Sequence, residues 1–381
     1  MVRNIVVLFG GVNCEHDISI ITAQQLISVL KEKDNVIPIY IDKNGKWNTS
    51  KTLLDIENFP DKLGKLREVA ILPSNKNLYI KKLSLFKKWQ KIDVAVLALH
   101  GRNAEDGTIA SIFELNNIPY INSGVVGSAV GCDKIIYKTF IKGLDIPTVE
   151  SSFISKEDFF SKNFKDIENE IVKKLDYPMI IKPANLGSSI GVKVCKNKKE
   201  LQSNLKIAFQ FDERLLLEKF IKNCKEVNVA IYKNRNKLVV SELEQPTTAD
   251  VIYSFNEKYL KKCLDVPHKR KMPPEIRPES YNKIIEYATY CYKELQLFGV
   301  VRFDFILDEE ENIFMNEVNT IPGSYAFYLY KKIGINLSQM LEDLIEEGVL
   351  RNNKKQELVN YFESSVLSEL NNKTQHFKQK I

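Results

Sequence analysis

Four polar residues with complementary chemistry alternate with apolar ones in two segments toward the end of the chain. Arg302 and Asp304 lie two positions apart within the apolar run 299–307, and Glu317 and Asn319 have the same spacing in the run that follows. Alternate residues of a strand point to one face, so the four groups are expected to converge. Two carboxylates and an amide oxygen suit Mg²⁺ held together with nucleotide phosphates, and an arginine beside them suits an anionic transition state. The alternative is a surface strand pair with cross-strand ion pairs.

A loop rich in glycine and serine, residues 184–191, forms a second candidate site. It follows the strand-like run 178–182 and precedes another short run, so it differs from a Walker loop, which opens a helix. Its backbone N–H groups and the hydroxyls of Ser188 and Ser189 could face phosphate oxygens, while Lys182 supplies a positive charge. A tight hairpin with a polar tip is the alternative interpretation.

The first third of the chain must position whatever these groups act on. Residues 5–9 and 36–41 are predicted strands, and 17–30 between them has helical spacing of apolar residues. This β-α-β order predicts a parallel sheet covered by helices. The Lys- and Asn-rich stretch 43–91 is predicted to be a peripheral excursion, after which 92–99 returns as a buried strand.

The rest of the chain reads as a second α+β region. The predicted helices are 133–142, 164–175, 199–209, 278–295, 336–347 and 356–370, and the predicted strands are 178–182, 192–194, 214–218, 226–232, 237–243, 299–307 and 312–318. The polar stretch 245–277 is longer than an ordinary connection, which indicates a functional loop or disorder. The expected divisions are 1–121, 122–217, 218–350 with a lid at 245–277, and a peripheral helical tail at 351–381.

Composition excludes several classes of protein. The 381 residues are 44% hydrophobic and 27% charged, as in soluble globular proteins, and the net charge of +6 is spread thinly, without the basic face that nucleic acid requires. No apolar run approaches the roughly 18 residues of a membrane helix. Six cysteines without a C-x-x-C pair and four dispersed histidines predict neither a zinc site nor a disulfide framework. Reduced thiols and a cytoplasmic location are therefore expected.

Four blocks of sequence, in order along residues 3–348, resemble the D-alanine-D-alanine ligase family of ATP-grasp enzymes. They are Leu8-Phe9-Gly10-Gly11 with Glu15-His16-Asp17-Ile18-Ser19, His100-Gly101 with Glu105-Asp106-Gly107-Thr108, Lys182-Pro183 with Gly187-Ser188-Ser189-Ile190-Gly191, and Asn316-Glu317-Val318-Asn319-Thr320-Ile321-Pro322-Gly323. One block alone would be weak, but four in register are specific. The resemblance implies an α/β (α+β) ATP-grasp fold preceded by an N-terminal parallel-sheet domain.

The resemblance also implies roles for individual residues. Glu15 would hold the ammonium group of the first amino acid, with His100 nearby, and Ser188 and Tyr259 would join Glu15 in a hydrogen-bonded triad. The residues implied to bind ATP are Lys134, Lys182, Lys258, Ser188 and Ser189 at the phosphates, Glu218, Lys219, Phe220 and Ile221 at the adenine, and Glu226 at the ribose. Those implied for Mg²⁺ or Mn²⁺, expected as two ions, are Asp304, Glu317 and Asn319, and those for the tetrahedral intermediate are Arg302 and the Gly323 N–H.

The segment expected to receive the second amino acid departs from the family pattern. Tyr328, followed by Leu329, stands where the family usually has a serine for the carboxylate of the second substrate. In the lid, Lys258 and Tyr259 are kept, but Ser254 and Asn256 replace the acidic residues usual before them. The identity of the second substrate is therefore open.

The function implied by the resemblance is ATP-dependent joining of D-alanine to a second D-amino acid through an acyl phosphate, for synthesis of peptidoglycan precursors in the cytoplasm. A homodimer and small-molecule partners are implied, without nucleic acid or membrane. Two alternatives stay open: a ligase of the same fold with D-serine, another amino acid or a hydroxy acid as second substrate, and a catalytically silent nucleotide-binding relative. The intact Arg302, Asp304, Glu317 and Asn319 argue against the silent relative, because binding alone needs no oxyanion clamp.

Overall fold

The computed structural model describes residues 2–73, 76–82, 85–246, 270–359 and 363–370. Its strands are β1 Asn4–Gly10, β2 Asn35–Ile41, β3 Trp47–Thr49, β4 Arg67–Ile71, β5 Asn77–Lys82, β6 Leu85–Lys91, β7 Val94–Leu97, β8 Ser151–Ser155, β9 Met179–Pro183, β10 Lys193–Cys195, β11 Arg214–Lys219, β12 Lys225–Asn234, β13 Lys237–Val240, β14 Gln245–Pro246, β15 Arg270–Lys271, β16 Val301–Leu307 and β17 Ile313–Asn319. Its helices are α1 His16–Leu30, α2 Thr108–Leu115, α3 Val125–Cys132, α4 Lys134–Gly143, α5 Lys156–Ser161, α6 Phe164–Val172, α7 Lys198–Ala208, α8 Pro278–Glu294, α9 Phe327–Tyr330 and α10 Leu337–Gln356.

The N-terminal sheet has the strand order β6-β5-β4-β3-β2-β1-β7. Strand β1 is parallel to both β2 and β7, as the β-α-β pattern predicts, and its side chains are almost completely buried. The stretch 43–91, predicted to be a peripheral excursion, instead contributes four antiparallel strands that extend this sheet. The sheet is therefore parallel at its centre and antiparallel along one side, because short turns allow antiparallel pairing without a crossover helix.

Two further four-stranded sheets, each antiparallel, follow in the chain. The central sheet, β10-β9-β11-β8, buries one face under α5, α6 and α7. The C-terminal sheet, β13-β12-β16-β17, packs one face against α4 and α8. The predicted hairpin at β12 and β13 and the predicted pairing of β16 with β17 are both confirmed. Each sheet thus keeps its opposite face for the site.

Two helices differ from the sequence prediction. Helix α3 occupies a stretch rich in small residues for which no helix is predicted, and a Cβ at Gly131 would lie 3.0 Å from Val318, so its glycines allow close packing. Helix α10 continues through Gln356, whereas two helices with a break were predicted. The Arg351 guanidinium on it donates to the carbonyls of Asn122 and Tyr120 at 3.0 and 3.1 Å, which ties this part of the predicted tail to the N-terminal domain.

Two observations concern the helices and the cysteines of the described residues. Across them, no helix combines the length and apolar character that crossing a membrane would demand. The cysteines within the described ranges, Cys14, Cys132, Cys195, Cys224 and Cys291, are all free thiols, which agrees with the absence of a predicted disulfide framework.

Candidate active site

The three sheets meet through a small number of hydrogen bonds around one cleft. Ser188, on the loop after β9, donates to Glu15 at the start of α1. Lys182 on β9 donates to the Asn316 side chain on β17 at 2.9 Å. The Thr320 hydroxyl donates to the Glu105 carbonyl at 3.3 Å, which links the end of β17 back to the N-terminal domain. The residues singled out from the sequence therefore come from all three units into one region.

Glu15 is a buried carboxylate held by its surroundings. Its own N–H donates to the Asn13 side chain at 2.8 Å, and Asn13 in turn donates to the His100 carbonyl at 2.9 Å. A Cβ at Gly101 would lie 2.7 Å from Glu15 Oε2, so only glycine leaves the carboxylate its space. Burial raises the pKa of Glu15, and the Glu105 carboxylate raises it further, while the Ser188 hydroxyl opposes the rise. A cationic ligand would relieve this destabilised negative charge.

His100 is buried and has a partner at each ring nitrogen. Its Nε2 lies 2.8 Å from Thr22 Oγ1 on α1, and its Nδ1 lies 3.4 Å from Glu105 Oε1. Its backbone N–H donates to the Ser19 hydroxyl at 2.9 Å. Both ring nitrogens of the imidazole are thus held in place.

A buried carboxylate at the end of β11 lies between two lysines. Lys182 Nζ is 2.5 Å from Glu218 Oε2, and Lys138 on α4 pairs with the other oxygen while it donates to the Val149 carbonyl at 2.8 Å. Burial alone would raise the pKa of Glu218, but Lys182 and then Lys138 outweigh burial and lower the pKa to about 2. Burial likewise lowers the pKa of Lys138 despite Glu218. The cluster keeps Lys182 charged at the floor of the cleft.

A cavity of about 120 Å³ lies over this cluster. Its lining includes eleven of the residues predicted for nucleotide and metal, namely Lys134, Lys182, Ser188, Ser189, Glu218, Lys219, Phe220, Ile221, Glu226, Asp304 and Glu317. Lys134 reaches the loop itself, since its Nζ donates to the Leu186 carbonyl at 2.5 Å. A larger cavity of about 490 Å³ lies between α4, β8 and α6, and none of the residues predicted for the site lines it. The smaller cavity is therefore the candidate nucleotide site.

The face of the C-terminal sheet that borders this cavity carries the four alternating polar residues. Arg302 is paired with Asn319 and Asp304 with Glu317 across β16 and β17, and the intervening residues of β16 are buried, as predicted. The Arg302 guanidinium holds both oxygens of Asp304, at 2.7 and 2.8 Å, and Asn319 Nδ2 donates to the same carboxylate at 3.0 Å. A register shift after Asp304 brings Asn316 to this face as well.

The chemistry of this donor set fits a hard divalent cation. Asp304 and Glu317 offer carboxylate oxygens on one face, and the Asn319 side chain, now donating its amide hydrogen to Asp304, can present its oxygen after a flip of the amide. Among the residues that the structure describes, no group of three or more His, Cys, Asp or Glu residues forms a metal site. A cation held here by Asp304 and Glu317 would need a third protein ligand of another type, such as the amide oxygen of Asn319.

The turn after β17 has an unusual backbone conformation. Ser324, Tyr325 and Ala326 have φ of 53°, 52° and 49°, a left-handed conformation that such residues rarely adopt. Tyr325 holds this turn in place, because its hydroxyl donates to the Leu97 carbonyl at 3.1 Å and accepts from Asn122 at 2.7 Å. Gly323, which begins the turn, has open space where a Cβ would stand.

Tyr328 and Leu329, at the start of α9, point to different surroundings. The Tyr328 hydroxyl donates to Glu244 Oε1 at 2.5 Å, and the Arg270 guanidinium lies 4.4 Å from the centre of its ring. The Leu329 side chain is fully buried in the N-terminal core, so this residue offers the cleft only its backbone. Lys258, Tyr259, Ser254 and Asn256 all lie outside the described residues, as does most of the predicted lid 245–277.

Four residues to which the sequence analysis gave no role make side-chain contacts with the candidate site residues or with one another. They are Lys138, Asn316, Glu244 and Arg270. Lys138 follows Lys134 by one helical turn, so the i, i+4 spacing could have indicated it. Asn316 reaches the polar face only because of the bulge between β16 and β17. The Glu244–Arg270 pair joins residues on either side of a long segment. Strand periodicity predicts neither contact.

Comparisons with known proteins identify the family of the chain. Models described as "D-ala D-ala ligase N-terminus" and "D-ala D-ala ligase C-terminus" match residues 4–123 and 140–347. The D-alanine--D-alanine ligase of Thermosipho melanesiensis is 39% identical over 91% of this chain and 94% of its own, and that of Bacillus pumilus is 31% identical over 93% and 98%.

Solved structures resemble the whole fold. A D-alanine-D-alanine ligase structure from Coxiella burnetii has a TM-score of 0.79 at 24% identity, covering 93% of this chain and 96% of that one, which speaks for the fold alone. The VanG D-Ala:D-Ser ligase of Enterococcus faecalis has a TM-score of 0.76 at 29% identity, covering 91% of this chain and 100% of that one. From the two matching models and these relatives, we conclude that the chain belongs to the D-alanine-D-alanine ligase family.

Proposed function

We propose that this protein is an ATP-dependent carboxylate–amine ligase that joins D-alanine to a second D-amino acid, D-alanine first among them, through an acyl phosphate. The observation that carries the proposal is the hydrogen bond from Ser188 to Glu15. It joins a carboxylate suited to an amino acid's ammonium group to the loop that borders the nucleotide cavity. An amino acid and the terminal phosphate of ATP are thereby brought to neighbouring positions.

The first amino acid binds by its ammonium group to Glu15. The buried carboxylate gains most from a cation, because burial and Glu105 both destabilise its charge in the free protein. His100, fixed by Thr22 and Glu105, forms the adjoining wall. The carboxylate of this substrate then faces the phosphate loop, where Ser188 stands.

The nucleotide occupies the cavity over Lys182. Lys134, Lys182 and, from the lid, Lys258 neutralise phosphate oxygens, and the backbone N–H groups of the loop at Ser188 and Ser189 add donors. Glu218 and the strand end Lys219–Ile221 receive the adenine, and Glu226 receives the ribose hydroxyls. The support is that, of these residues, all except Lys258 line one cavity.

Asp304, Glu317 and Asn319 would hold Mg²⁺, or Mn²⁺ in its place, as two ions. A bound divalent ion supplies positive charge against the phosphate oxygens. The chain's own contribution is to keep two carboxylates side by side, which the Arg302 guanidinium permits by neutralising Asp304. Arg302 also lowers the cost of the negative charge that develops nearby.

Two steps give the product. The carboxylate oxygen of the first substrate bonds to the γ-phosphorus, the bond from that phosphorus to the β–γ bridging oxygen breaks, and ADP leaves. The second amino acid, whose ammonium group has released one proton to solvent, attacks the acyl carbon with its neutral amine, and the nitrogen releases a second proton to solvent as the amide forms. Arg302 and the Gly323 N–H stabilise the oxyanion, and inorganic phosphate leaves with the original carboxylate oxygen. Acyl phosphates hydrolyse readily, so the lid at 245–277, with Tyr259 in the triad, excludes water.

A second candidate function differs only in the second substrate. Tyr328 stands where a serine is usual, and its hydroxyl donates to Glu244 rather than into open cleft. This observation favours testing D-serine and hydroxy acids as acceptors. In either case the product would serve synthesis of peptidoglycan precursors, in the cytoplasm, by a homodimer.

The experiment is phosphate release from Mg-ATP across a panel of D- and L-amino acids and D-hydroxy acids, singly and in pairs, with products identified by mass. D-alanine alone is expected to give its dimer. Turnover only when D-alanine is paired with another acceptor would support the second candidate. No turnover across the panel, in a protein that binds ATP, would contradict both and favour a silent nucleotide-binding relative.

A further inference from the structure

Three side chains beside the Arg302–Asp304 face form a cluster, Glu244, Arg270 and Tyr328, that no step above uses. The Tyr328 hydroxyl donates to Glu244 Oε1 at 2.5 Å, and Arg270 Nη1 lies 3.3 Å from Glu244 Oε2. The Arg270 guanidinium also stacks over the tyrosine ring, 4.4 Å from its centre. The ring is therefore held at its hydroxyl and on one face, which together fix its orientation.

Glu244 is itself attached to the reacting face. Its side chain is 5% exposed. Its backbone N–H donates to the Asn228 carbonyl at 3.0 Å and its carbonyl accepts from the Asn228 N–H at 2.9 Å, while Asn228 Nδ2 adds a bond to Oε1 at 3.3 Å. Asn228 lies directly across β12 and β16 from Asp304. The position of the Tyr328 ring is thus set from the strand next to the catalytic groups.

The charges of the cluster keep this arrangement stable. Burial raises the pKa of Tyr328, and Glu244 raises it further, so the phenol stays protonated and can donate. Arg270 balances the Glu244 charge. After Asp304, the groups that most raise the pKa of Arg302 are Tyr328 and Glu244, which places the cluster beside the arginine proposed to meet the oxyanion.

We propose that Glu244 and Arg270 are positioning residues that hold Tyr328 as one wall of the subsite for the second amino acid, and that this wall limits its side chain to a methyl or hydroxymethyl group. The inference rests on the proposed function. Arg270 on β15 pairs with Pro246 on β14, so its backbone is held beside the short strand that follows Glu244. Selection of the second substrate then lies partly in residues that never contact it.

The test compares acceptor use with donor use. D-alanine serves as donor, and D-alanine, D-serine, D-2-aminobutyrate and D-valine compete as acceptors, with dipeptides quantified by mass. Glu244→Leu and Arg270→Met should each raise the KM of the second D-alanine about tenfold, the effect of losing one charged hydrogen bond. The fraction of product from the two larger acceptors should rise, while the KM of the donor and of ATP stays within about twofold. Glu244→Gln, which keeps an acceptor for the hydroxyl, should restore most of the wild-type selectivity.

A double variant and a matched control separate positioning from general structure. If Glu244 acts through the tyrosine hydroxyl, Glu244→Leu combined with Tyr328→Phe should raise the acceptor KM no more than either change alone. The control is Glu242→Leu, because Glu242 accepts from the Tyr281 hydroxyl at 2.7 Å two residues away along the same segment. It should leave acceptor selectivity unchanged.

Each result decides the matter. Three results would overturn the inference while the ligase activity stands. They are equal shifts in the KM of donor and acceptor, multiplicative effects on the acceptor KM in the double variant, and the same shift in selectivity in the Glu242→Leu control. A wild-type protein that forms no dipeptide would overturn the proposed function and the inference with it. If Glu244→Leu fails to fold, as shown by loss of ATP binding, the partly exposed Arg270→Met carries the test alone.

Discussion

Replacing Glu218 by glutamine should destabilise the protein by about 3 kcal/mol at pH 7. Lys182 and Lys138 hold the pKa of this carboxyl at about 2 in the folded chain, against an ordinary value of 4.5. Each pKa unit is about 1.4 kcal/mol, so the difference amounts to roughly 3 kcal/mol. Glu218 is buried, and therefore solvent screening does not reduce this figure as it would at the surface. Lys138, also buried, would lose its carboxylate partner; this loss is already contained in the figure, because Lys138 helps to set the pKa of Glu218.

The pH dependence has a definite sign. Because the folded pKa is the lower one, the stabilisation is fully present above the unfolded value near 4.5 and is lost as pH falls toward 2. The difference in free energy of unfolding between wild type and Glu218→Gln, measured with urea, should therefore be about 0.8 kcal/mol smaller at pH 4 than at pH 7. Glu213→Gln is the matched control, since Glu213 pairs with Lys156 at 3.0 Å but is 78% exposed, and it should change little. A Glu218 effect no larger than the control, or a gap that widens as pH falls, would refute the reasoning.

Three further predictions concern the cleft. Asp304→Asn and Glu317→Gln should each abolish Mg-dependent ATP turnover yet leave the chain folded, with Asp304→Asn the less stable of the two because Arg302 loses its carboxylate partner; near-normal turnover in both would remove the metal assignment. Gly101→Ala should raise the KM of the first amino acid at least tenfold, since the added Cβ would lie 2.7 Å from Glu15 Oε2 at positive φ; an unchanged KM would count against the ammonium site. Glu15 must be ionised to bind a cation, and the Ser188 hydroxyl lowers its raised pKa, so Ser188→Ala should move the acidic rise in that KM to higher pH; a profile that stays in place would contradict this coupling.

The alternation of polar and apolar residues predicted the C-terminal face well. The two-residue period of a strand is enough to predict that Arg302 and Asp304 lie on the same face of the sheet. In the structure they pair with Asn319 and Glu317, as expected. It does not reveal the bulge that adds Asn316, because a bulge is an irregularity of pairing between two strands. The β-α-β opening was predicted for the same reason, since buried strands and an amphipathic helix have distinct periods.

The contacts that depend on distant parts of the chain were not predictable. The prediction of a peripheral excursion at 43–91 is wrong because its many lysines and asparagines obscure the strand periodicity. These short segments form strands by pairing with the edge of an existing sheet. Glu244 and Arg270 are separated by the segment 247–269, and Tyr328 reaches them from a third place. No local sequence pattern predicts that these three side chains contact one another, because the contact depends on the tertiary fold.

The most direct test of the account follows one oxygen atom. Wild-type protein is incubated with Mg-ATP and D-alanine labelled with ¹⁸O in both carboxylate oxygens, and the phosphate and dipeptide are weighed by mass spectrometry. An acyl phosphate requires that the carboxylate oxygen bonded to phosphorus leaves with it, so each phosphate should carry one ¹⁸O and the new amide carbonyl should keep one. Dipeptide formed with unlabelled phosphate, or phosphate released without dipeptide, would contradict the account.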